Sequence, residues 1–538
     1  MNEEIEEYYE ELYRLYVDEN QPLERRYRQL RESLERVVRE KIQGNSLQTT
    51  DLAARINYVA TQYGLDLKEQ NQLHTFRLTS NDILNHRKSP VKEEFLRDLR
   101  AVAYAYRKMF AQDIPLKLFS VLPKQEIASS GKKEKMEYIR RIRVCFDYAD
   151  DTYLYVHPVD VIADEPIRVV YNKPGINHEF EETIKELWRY AQLNLLDVSV
   201  DRDGIYTPSF IVLEPDYLID ISSLAECYKD YGSHPANYFL SRLVPIDNAR
   251  PLLLGNIANL FLDEWIHAGE EEPDYIDCMK KAFRQYPIEL AACAELRDPS
   301  KEKEFAKDCR MHFEHIRDVV QHTFLEPGYN LDKKEAVLEP SYICEALGIQ
   351  GRLDYMQRDM SSFIEMKSGK ADEFSMQGKV EPKENNKVQM LLYMAVLEYS
   401  MGQDRRRMHP YLLYTRYPLL YPARASWAQV RRVINLRNRI VAAEYGVQFH
   451  NHPDFTRNLL AQINPEVVNE RKLSGRFWEQ YLKPSISRFR EKLSALEPLE
   501  QAYFYTLYNF ITKELYTSKS GDVDYEGRAG ASALWLST

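Results

Sequence analysis

Residues 349–370 read IQGRLDYMQRDMSSFIEMKSGK. Their apolar and aromatic residues predict a strand over Ile349–Met356, which is entered through Gly351. The polar residues of Gln357–Ser362 predict a turn. The segment Phe363–Lys367 is predicted to form the returning strand, which ends at a Ser-Gly pair. This stretch is therefore expected to form a β-hairpin.

The charged side chains of this hairpin are expected to meet at one edge. Successive side chains of a strand point to opposite faces, so Glu365 and Lys367 share one face and Met366 enters the core on the other. The hairpin brings Asp354 to the same edge. Two carboxylates and one lysine would then converge at one place.

That combination of groups suits the hydrolysis of a phosphodiester, which needs a divalent cation to neutralise the phosphate and to acidify a water. Mg²⁺ prefers a few carboxylates together with waters and phosphate oxygens. Asp354 and Glu365 would supply the carboxylates, and the Met366 carbonyl would add a third oxygen. Lys367 would position the attacking water or help to deprotonate it. The alternative interpretation is a surface hairpin that carries an i,i+2 Glu–Lys pair.

A helical pattern follows over Lys387–Tyr399, in which Gln389 and Tyr393 are four residues apart and share one face. With this helix, three motifs stand in order along the chain. The sequences GRLD at 351–354, IEMKSGK at 364–370 and QxxxY from Gln389 resemble the consecutive motifs of the RecB-type PD-(D/E)xK nucleases.

This resemblance implies a restriction-endonuclease-like αβ core and a DNA nuclease activity that depends on Mg²⁺ or Mn²⁺. Asp354, Glu365 and Lys367 would be the catalytic residues. In that family the QxxxY helix follows the catalytic hairpin, so Gln389 and Tyr393 would help to order the site and to bind DNA.

Two further stretches extend the resemblance upstream. Family members often carry GxxxH on a helix, and LGNIANLFLD at 254–263 has Asn259 where the metal-binding histidine would stand. Because an amide oxygen is a weaker ligand than imidazole, we expect Mn²⁺ to serve better than Mg²⁺. Glu339 resembles the acidic residue on the first strand of the core, which binds metal directly or through water. Alternatively, Asn259 has no role and Glu339 is a plain surface carboxylate.

Within the family, the layout most resembles the nuclease part of the helicase–nucleases that process flaps in lagging-strand DNA. The expected substrate is therefore single-stranded or flapped DNA. The chain contains no GxxxxGK(S/T) loop for ATP, so a helicase motor would lie beyond Thr538 or in another subunit. Such proteins commonly hold an iron–sulfur cluster with three cysteines after the core. No cysteine follows Cys344, so we expect no cluster here and a plain thiol at Cys227.

A basic and aromatic region follows the QxxxY helix. Arg405, Arg406 and Arg407 precede Tyr411 and Tyr414. Such a mixture suits a groove that follows phosphates and stacks the bases of single-stranded DNA. The alternative interpretation is a core strand flanked by solvated arginines.

The chain has 538 residues, 44% of them hydrophobic and 29% charged, which is typical of a multidomain globular protein. Residue patterns predict a mixed α/β protein in four segments. These are a helical region at 1–112, a β-rich subdomain at 113–215 with one helix near Glu181–Asn194, the nuclease core at 216–424, and a helical extension at 425–538.

The formal net charge of −11 means that any nucleic-acid site must be a local patch. The apolar run Met390–Leu397 is too short to span a bilayer, so no membrane partner is expected. The six cysteines are spread singly, which favours the reducing cytoplasm.

Two other functions fit the sequence. One is a catalytically silent DNA-binding scaffold of the same fold, which Asn259 favours. The other is a helical interaction protein, or an RNase that uses Arg77 and His86 in the N-terminal region.

Overall fold

The structure is a computed structural model that describes residues 2–42, 52–123, 138–160, 165–243, 250–329, 331–374, 379–423, 426–449, 453–520, 523–524 and 527–528. It is mixed α/β, as the sequence predicts. The chain divides into two compact units. The first comprises Met1–Tyr217, Val441–Thr456 and Tyr503–Thr538, and the second comprises Leu218–Ile440 and Arg457–Ala502. The predicted segments 1–112 and 113–215 therefore share one unit, and 425–538 is divided between both.

The first unit begins with helices α1 (Asn2–Val17), α2 (Leu23–Ile42), α3 (Leu52–Gln62), α4 (Leu67–Leu84), α5 (Lys92–Phe110) and α6 (Leu116–Phe119). The helical spacing of apolar residues in α2 places Leu30, Leu34 and Val37 in a common core with Phe76 and Phe95. Asp66 and Glu69 form a capping box that starts α4.

A β-barrel follows in the same unit. Its elements are β1 (Tyr138–Ala149), β2 (Tyr153–Pro158), β3 (Ile167–Val170), α7 (Glu181–Lys185), β4 (Gln192–Val200), β5 (Tyr206–Thr207) and β6 (Phe210–Leu213). Among these strands the neighbours run β1-β2-β3-β5-β4, and β4 also pairs with β1, which closes the ring. The β3–β5 pairing is parallel. β5 and β6 pair with β4 in one continuous register on either side of Pro208, so they act as a single strand.

The helix predicted over Glu181–Asn194 is wrong in its second half. Only α7 is helical there, and Gln192 already begins β4. Ile184, Leu187, Trp188 and Ala191 do have helical spacing. However, Tyr190 adopts a φ of 72°, which ends any helix, and the residues after it pair with both β1 and β6.

The elements that follow in the chain are β7 (Ile219–Asp220), α8 (Ile221–Ala225), α9 (Ala236–Leu243), α10 (Arg250–His267), α11 (Tyr275–Gln285), α12 (Pro287–Ala292), α13 (Pro299–Gln321), β8 (Ala336–Leu338), β9 (Ser341–Cys344), β10 (Ile349–Arg352), β11 (Tyr355–Gln357), β12 (Ser362–Lys367), β13 (Asp372–Phe374), β14 (Lys379–Glu381), α14 (Glu384–Met401), β15 (His409–Tyr414) and β16 (Leu419–Pro422). After them come α15 (Trp427–Phe449), α16 (Pro453–Ala461), α17 (Pro465–Val468), a π-helical turn (Trp478–Leu482), α18 (Lys483–Ser494), α19 (Pro498–Ser520), β17 (Val523–Asp524) and β18 (Gly527–Arg528).

The main sheet of the second unit has, among the described residues, the order β16-β15-β12-β11-β8. β8, β11 and β12 are antiparallel neighbours, and α14 leads from β12 to the parallel strand β15. Strands β12 and β15 are almost entirely buried, which fits their continuous apolar content. Phe261 of α10 and Phe313 of α13 pack in the core beneath the sheet with Met366 and Leu413.

The single strand predicted over Ile349–Met356 is wrong, because the chain there forms two strands in two sheets. β10 pairs with β7 and β9, whereas β11 pairs with β8 and β12. Leu353 and Asp354 form the joint between them. The carboxylate of Asp354 accepts the backbone N–H of Met366 at 2.6 Å, so a side chain binds the backbone of β12 at this point.

No helix within the described ranges is long and apolar enough to cross a membrane.

Candidate functional site

The end of β12 carries the charged pair that the sequence predicts. Glu365 and Lys367 lie on the same face of the strand, and Lys367 Nζ donates to Glu365 Oε1 at 2.8 Å. Between them, Met366 turns its side chain into the core of the unit. Side chains two residues apart in a strand point to the same face, so the carboxylate and the ammonium lie next to each other.

Gln389 on α14 binds both members of this pair. Its amide nitrogen donates to Glu365 Oε1 at 2.6 Å, and its amide oxygen accepts from Lys367 Nζ at 2.8 Å. α14 reaches the pair because it crosses between the parallel strands β12 and β15. Glu365, Lys367 and Gln389 thus form a closed triangle of hydrogen bonds.

The second carboxylate oxygen of Glu365 has no hydrogen-bond partner among the described residues, although it is buried. Glu365 as a whole is only 3% exposed. Buried acceptors are nearly always satisfied by the protein, by water or by a ligand. This oxygen can therefore accept a bond from a water or from a ligand outside the chain.

Asp354 lies close enough to Glu365 for their charges to interact. Burial, and then the charge of Asp354, raise the pKa of Glu365 to about 8. Burial also raises the pKa of Asp354 above its ordinary value, against the hydrogen bond from the Met366 N–H. Two neighbouring carboxyl groups that resist ionisation together are a frequent sign of a functional site.

Lys367 remains protonated in this setting. Burial on its own lowers the pKa of a lysine, but the adjacent Glu365 carboxylate outweighs that effect, and the net pKa of Lys367 is raised. The side chain offers an ammonium charge beside the two carboxylates. It therefore suits charge stabilisation and the positioning of a water better than proton abstraction.

Tyr393 lies one turn after Gln389 on α14, and its hydroxyl donates to the Arg352 carbonyl at 2.6 Å. Its ring lies directly against Gly351, where an added β-carbon would come within 3.0 Å of Tyr393 Cε1. The glycine of the GRLD motif is needed because the tyrosine occupies the space of a side chain. Tyr393 thus fixes β10 just before the Asp354 joint.

The two upstream candidates lie on different elements beside the site. Glu339 follows β8 directly with a φ of 49°, and its N–H donates to the Asp354 carbonyl at 3.1 Å. The Glu339 carboxylate forms an ion pair of 3.2 Å with Arg352 near the surface. Asn259 is half-buried on α10. It stands one turn after Gly255, where an added β-carbon would lie 3.3 Å from the hydroxyl oxygen of Ser368, the residue after Lys367.

Asp263 was missed by the sequence reasoning. It lies one turn after Asn259 on α10 and is half-buried. Burial, and then the charge of Glu339, raise the pKa of Asp263 to about 6, with Asp354 adding to the effect. The spacing of Gly255, Asn259 and Asp263 at i, i+4 and i+8 was the available signal, because such residues share one helix face.

Asp354 and Glu365 are the residues that would hold a divalent cation, with Glu339 and Asp263 nearby. The orphan oxygen of Glu365 and the raised pKa values fit a cation, since its charge would favour both ionised carboxylates. Within the described part of the chain, no three His, Cys, Asp or Glu side chains form a complete ligand set. Mg²⁺ tolerates this, because it keeps several waters.

The predicted DNA-binding arginines are not brought to this site. Arg405, Arg406 and Arg407 lie in the turn before β15, whose first residue His409 pairs with Ser362. Lys367 lies five residues further along β12, which is about 16 Å at strand geometry. Arg405 forms an ion pair with Glu398 at 3.1 Å and lies over the ring of Trp427, while Arg406 and Arg407 are exposed.

The tyrosines of the same region belong to the core. Tyr411 is 4% exposed and Tyr414 is fully buried, with its hydroxyl accepting from the Lys383 N–H at 3.0 Å. They are not accessible to a DNA base. The core-strand interpretation of this stretch therefore describes the structure.

The N-terminal pair considered for an RNase is also separated. Arg77 is buried, and its guanidinium donates to the Val159 carbonyl. The His86 side chain lies beyond the end of α4 and is 80% exposed. The two side chains thus occupy different environments within the first unit.

All six cysteines are buried free thiols, and burial raises the pKa of Cys227 to about 12. No protein-family model matches the chain, and no curated protein is significantly similar to it.

Proposed function

We propose that the chain is a divalent-metal-dependent DNA nuclease of the RecB-type PD-(D/E)xK class, acting on single-stranded or flapped DNA. The observation that carries the proposal is the state of Glu365. One of its oxygens is held by Lys367 and Gln389, and the other is buried beside Asp354 without a partner in the part of the chain that the structure describes. A structural ion pair would not need an unsatisfied buried oxygen.

The order of the main sheet supports the same proposal. The resemblance implies a catalytic hairpin that is followed by the QxxxY helix. β11 and β12 are antiparallel neighbours, α14 follows them, and the chain then forms β15 parallel to β12. The carboxylates stand at the joint before β11 and near the end of β12.

Each residue of the site has a role that its contacts suggest. Asp354 and Glu365 would hold the cation, which when bound supplies charge neutralisation and a more acidic water. Lys367 would hold its ammonium where negative charge develops on the phosphate. Gln389 would orient Glu365 and Lys367, and Tyr393 would keep β10 and the joint in place.

The test is cleavage of labelled single-stranded and flapped DNA by the full chain with Mg²⁺, with Mn²⁺ and with a chelator. We expect cleavage that depends on metal. Asp354→Asn and Glu365→Gln should lose both Mn²⁺ binding, measured by calorimetry, and cleavage. Lys367→Ala should retain Mn²⁺ binding but lose about 10²- to 10³-fold in rate, since its charge acts mainly in the transition state.

Glu335→Gln is the matched control, because Glu335 is exposed and pairs with Arg358 near the other end of the sheet. It should cleave like the wild type. Cleavage that survives Asp354→Asn would contradict the site. Intact DNA binding without cleavage under either cation would favour a catalytically silent scaffold. The associated motor, the lack of an iron–sulfur cluster and the cytoplasmic location stay predictions.

A further inference from the structure

The barrel of the first unit has a specific strand order. Its ring runs β1-β2-β3-β5-β4 and closes on β1, with β3 and β5 parallel. A short helical stretch lies between β3 and β4, where Phe180 packs edge-on against Phe210 at 6.3 Å. Five strands in this order with a helix after the third are the arrangement of the OB-fold barrel.

The inner face of the barrel explains which side chains point outward. Leu154 and Val156 of β2 and Val169 of β3 are fully buried. Because side chains alternate along a strand, Tyr153, Tyr155 and Arg168 must lie on the outer face. In OB-folds, the outer face around the second and third strands is where oligonucleotides bind.

Aromatic side chains occupy this face. Tyr148 of β1 pairs directly with Tyr155 of β2, which in turn pairs with Arg168 of β3. The rings of Tyr148 and Tyr155 stack at 4.2 Å with an angle of 12° between them. Tyr153 meets Tyr155 edge-on, and the Arg168 guanidinium lies 5.7 Å from the Tyr153 ring. We call Tyr148, Tyr153, Tyr155 and Arg168 the tyrosine platform.

The platform is both accessible and held in place. Tyr148 is 51% exposed, and Arg168 is exposed as well. The Tyr155 hydroxyl donates to Asp150 Oδ2 at 3.0 Å, while Asp150 Oδ1 accepts the backbone N–H groups of Thr152 and Tyr153 in the β1–β2 turn. The Tyr155 ring, on which Tyr148 stacks, is thus held in orientation before any ligand arrives, which lowers the entropic cost of stacking.

We propose that the tyrosine platform binds single-stranded nucleic acid by stacking unpaired bases on Tyr148 and Tyr155, with Arg168 against a phosphate. Stacking on aromatic side chains tolerates any base, and a duplex offers no free base faces. The carboxylate of Asp150 beside the platform limits how many phosphates can approach. Binding here therefore depends more on stacking than on charge.

The test is fluorescence anisotropy of the full chain with labelled oligothymidylate and oligouridylate of about 15 nucleotides. It is done in chelator, so that its result does not depend on the proposed cleavage. Tyr148→Ala and Tyr155→Ala should each weaken binding by about 5- to 150-fold. Tyr155→Phe keeps the ring without the bond to Asp150 and should lose less affinity than Tyr155→Ala. Competing duplex should have little effect.

Salt titration separates stacking from charge. Arg168→Ala should reduce the slope of log affinity against log salt by about 0.7, whereas the tyrosine variants should leave the slope unchanged. Tyr138→Ala is the matched control, because Tyr138 is an exposed tyrosine of the same strand that pairs with β4 instead. It should bind like the wild type.

A crosslinking measurement on the unmodified chain removes any dependence on folding of the variants. An oligonucleotide with 5-iodouracil should crosslink to the peptide that contains Tyr148 or Tyr155. The platform is supported if the binding of either oligonucleotide is weakened by the tyrosine substitutions. Comparing the affinities for oligothymidylate and oligouridylate then shows whether DNA or RNA is the better ligand. The proposal would be overturned if Tyr148→Ala and Tyr155→Ala bound as tightly as the wild type, or if crosslinks formed only to other peptides.

Discussion

Gln389 donates its amide nitrogen to the same Glu365 oxygen that Lys367 binds, at 2.6 Å. This sharing leaves the other Glu365 oxygen without a partner among the described residues. Gln389 therefore determines which oxygen of Glu365 remains available to a cation, although it need not touch the cation itself.

From this contact we expect Gln389→Ala to lower the cleavage rate by about tenfold, as for other residues that orient metal ligands. The loss should be smaller than that for Lys367→Ala. Gln389→Glu should be worse, because it places another carboxylate beside Glu365. Rates under single-turnover conditions measure the effect, and a rate for Gln389→Ala equal to that of the wild type would show that the contact is only structural.

Asp263 should contribute to metal affinity. Asp263→Asn removes a negative charge near Glu339 and Asp354, and we expect about tenfold weaker Mn²⁺ binding by calorimetry. Glu264→Gln is the control on the same helix, since Glu264 binds Lys281 at 2.5 Å. Equal Mn²⁺ affinity in Asp263→Asn and the wild type would place Asp263 outside the site.

Cation binding should depend on pH because protons compete for Glu365. Its pKa is about 8, so below that value a bound cation must displace a proton. The apparent affinity should rise by up to about tenfold per pH unit up to pH 8 and then level off. Glu365→Gln should abolish this dependence, and a flat affinity profile in the wild type would contradict the raised pKa.

The raised pKa of Glu365 also affects the stability of the protein without metal. A carboxyl group whose pKa rises from 4.5 to about 8 on folding stabilises the fold fully below 4.5. That contribution is lost as the pH rises through about 8. In urea denaturation with chelator, the free energy of unfolding of the wild type should therefore fall between pH 4.5 and about 8 relative to that of Glu365→Gln.

Gly351→Ala should be destabilising by roughly 1–3 kcal/mol, because the new methyl group would meet Tyr393 and Ile221 at 3.0–3.1 Å. The displaced tyrosine would also lose its bond to the Arg352 carbonyl. Gly369→Ala is the control near the site, since nothing lies within 4 Å of its added β-carbon. Thermal denaturation of the two variants compares them directly, and equal melting temperatures would refute the clash.

A double variant of Arg406 and Arg407 tests whether bound DNA extends from the site to the turn before β15. Replacing both with alanine should reduce the salt slope for single-stranded DNA by about 1.4 if each contacts a phosphate. Arg405 is kept, because it binds Glu398. Arg284→Ala, an exposed arginine on α11, serves as the control. An unchanged slope in the double variant would show that the DNA path lies elsewhere.

Local periodicity was sufficient to predict the closest contacts of the candidate site. The alternation of a strand puts Glu365 beside Lys367, and the turn of a helix puts Gln389 and Tyr393 on one face. Asp263 was missed because its proximity to Asp354 results from the packing of α10, more than 90 residues away in the chain, against the sheet. The helical spacing places Asp263 on the face of Gly255 and Asn259, but it does not show that this face packs against the sheet.

The difference between local patterns and contacts of distant residues also explains the errors in the predicted fold. Residues 181–194 have helical spacing, but Gln192 enters β4 because two distant strands pair with it. The strand predicted from Ile349 divides at Leu353 because β7 and β8 lie in different sheets. Barrel closure through β1 and β4 likewise depends on residues about 50 positions apart in the chain.

The joint at Leu353 and Asp354 gives the two carboxylates different supports. Glu365 is bound to Lys367 within β12, whereas Asp354 is the last residue that connects β10 to β11 and is bound to the Met366 N–H. We therefore expect the gap between the carboxylates, and with it the preferred ionic radius, to respond to substitutions in β7 and β9, which pair with β10. A laboratory selection for activity with a larger cation such as Ca²⁺ should accumulate substitutions in those strands and leave β12 unaltered.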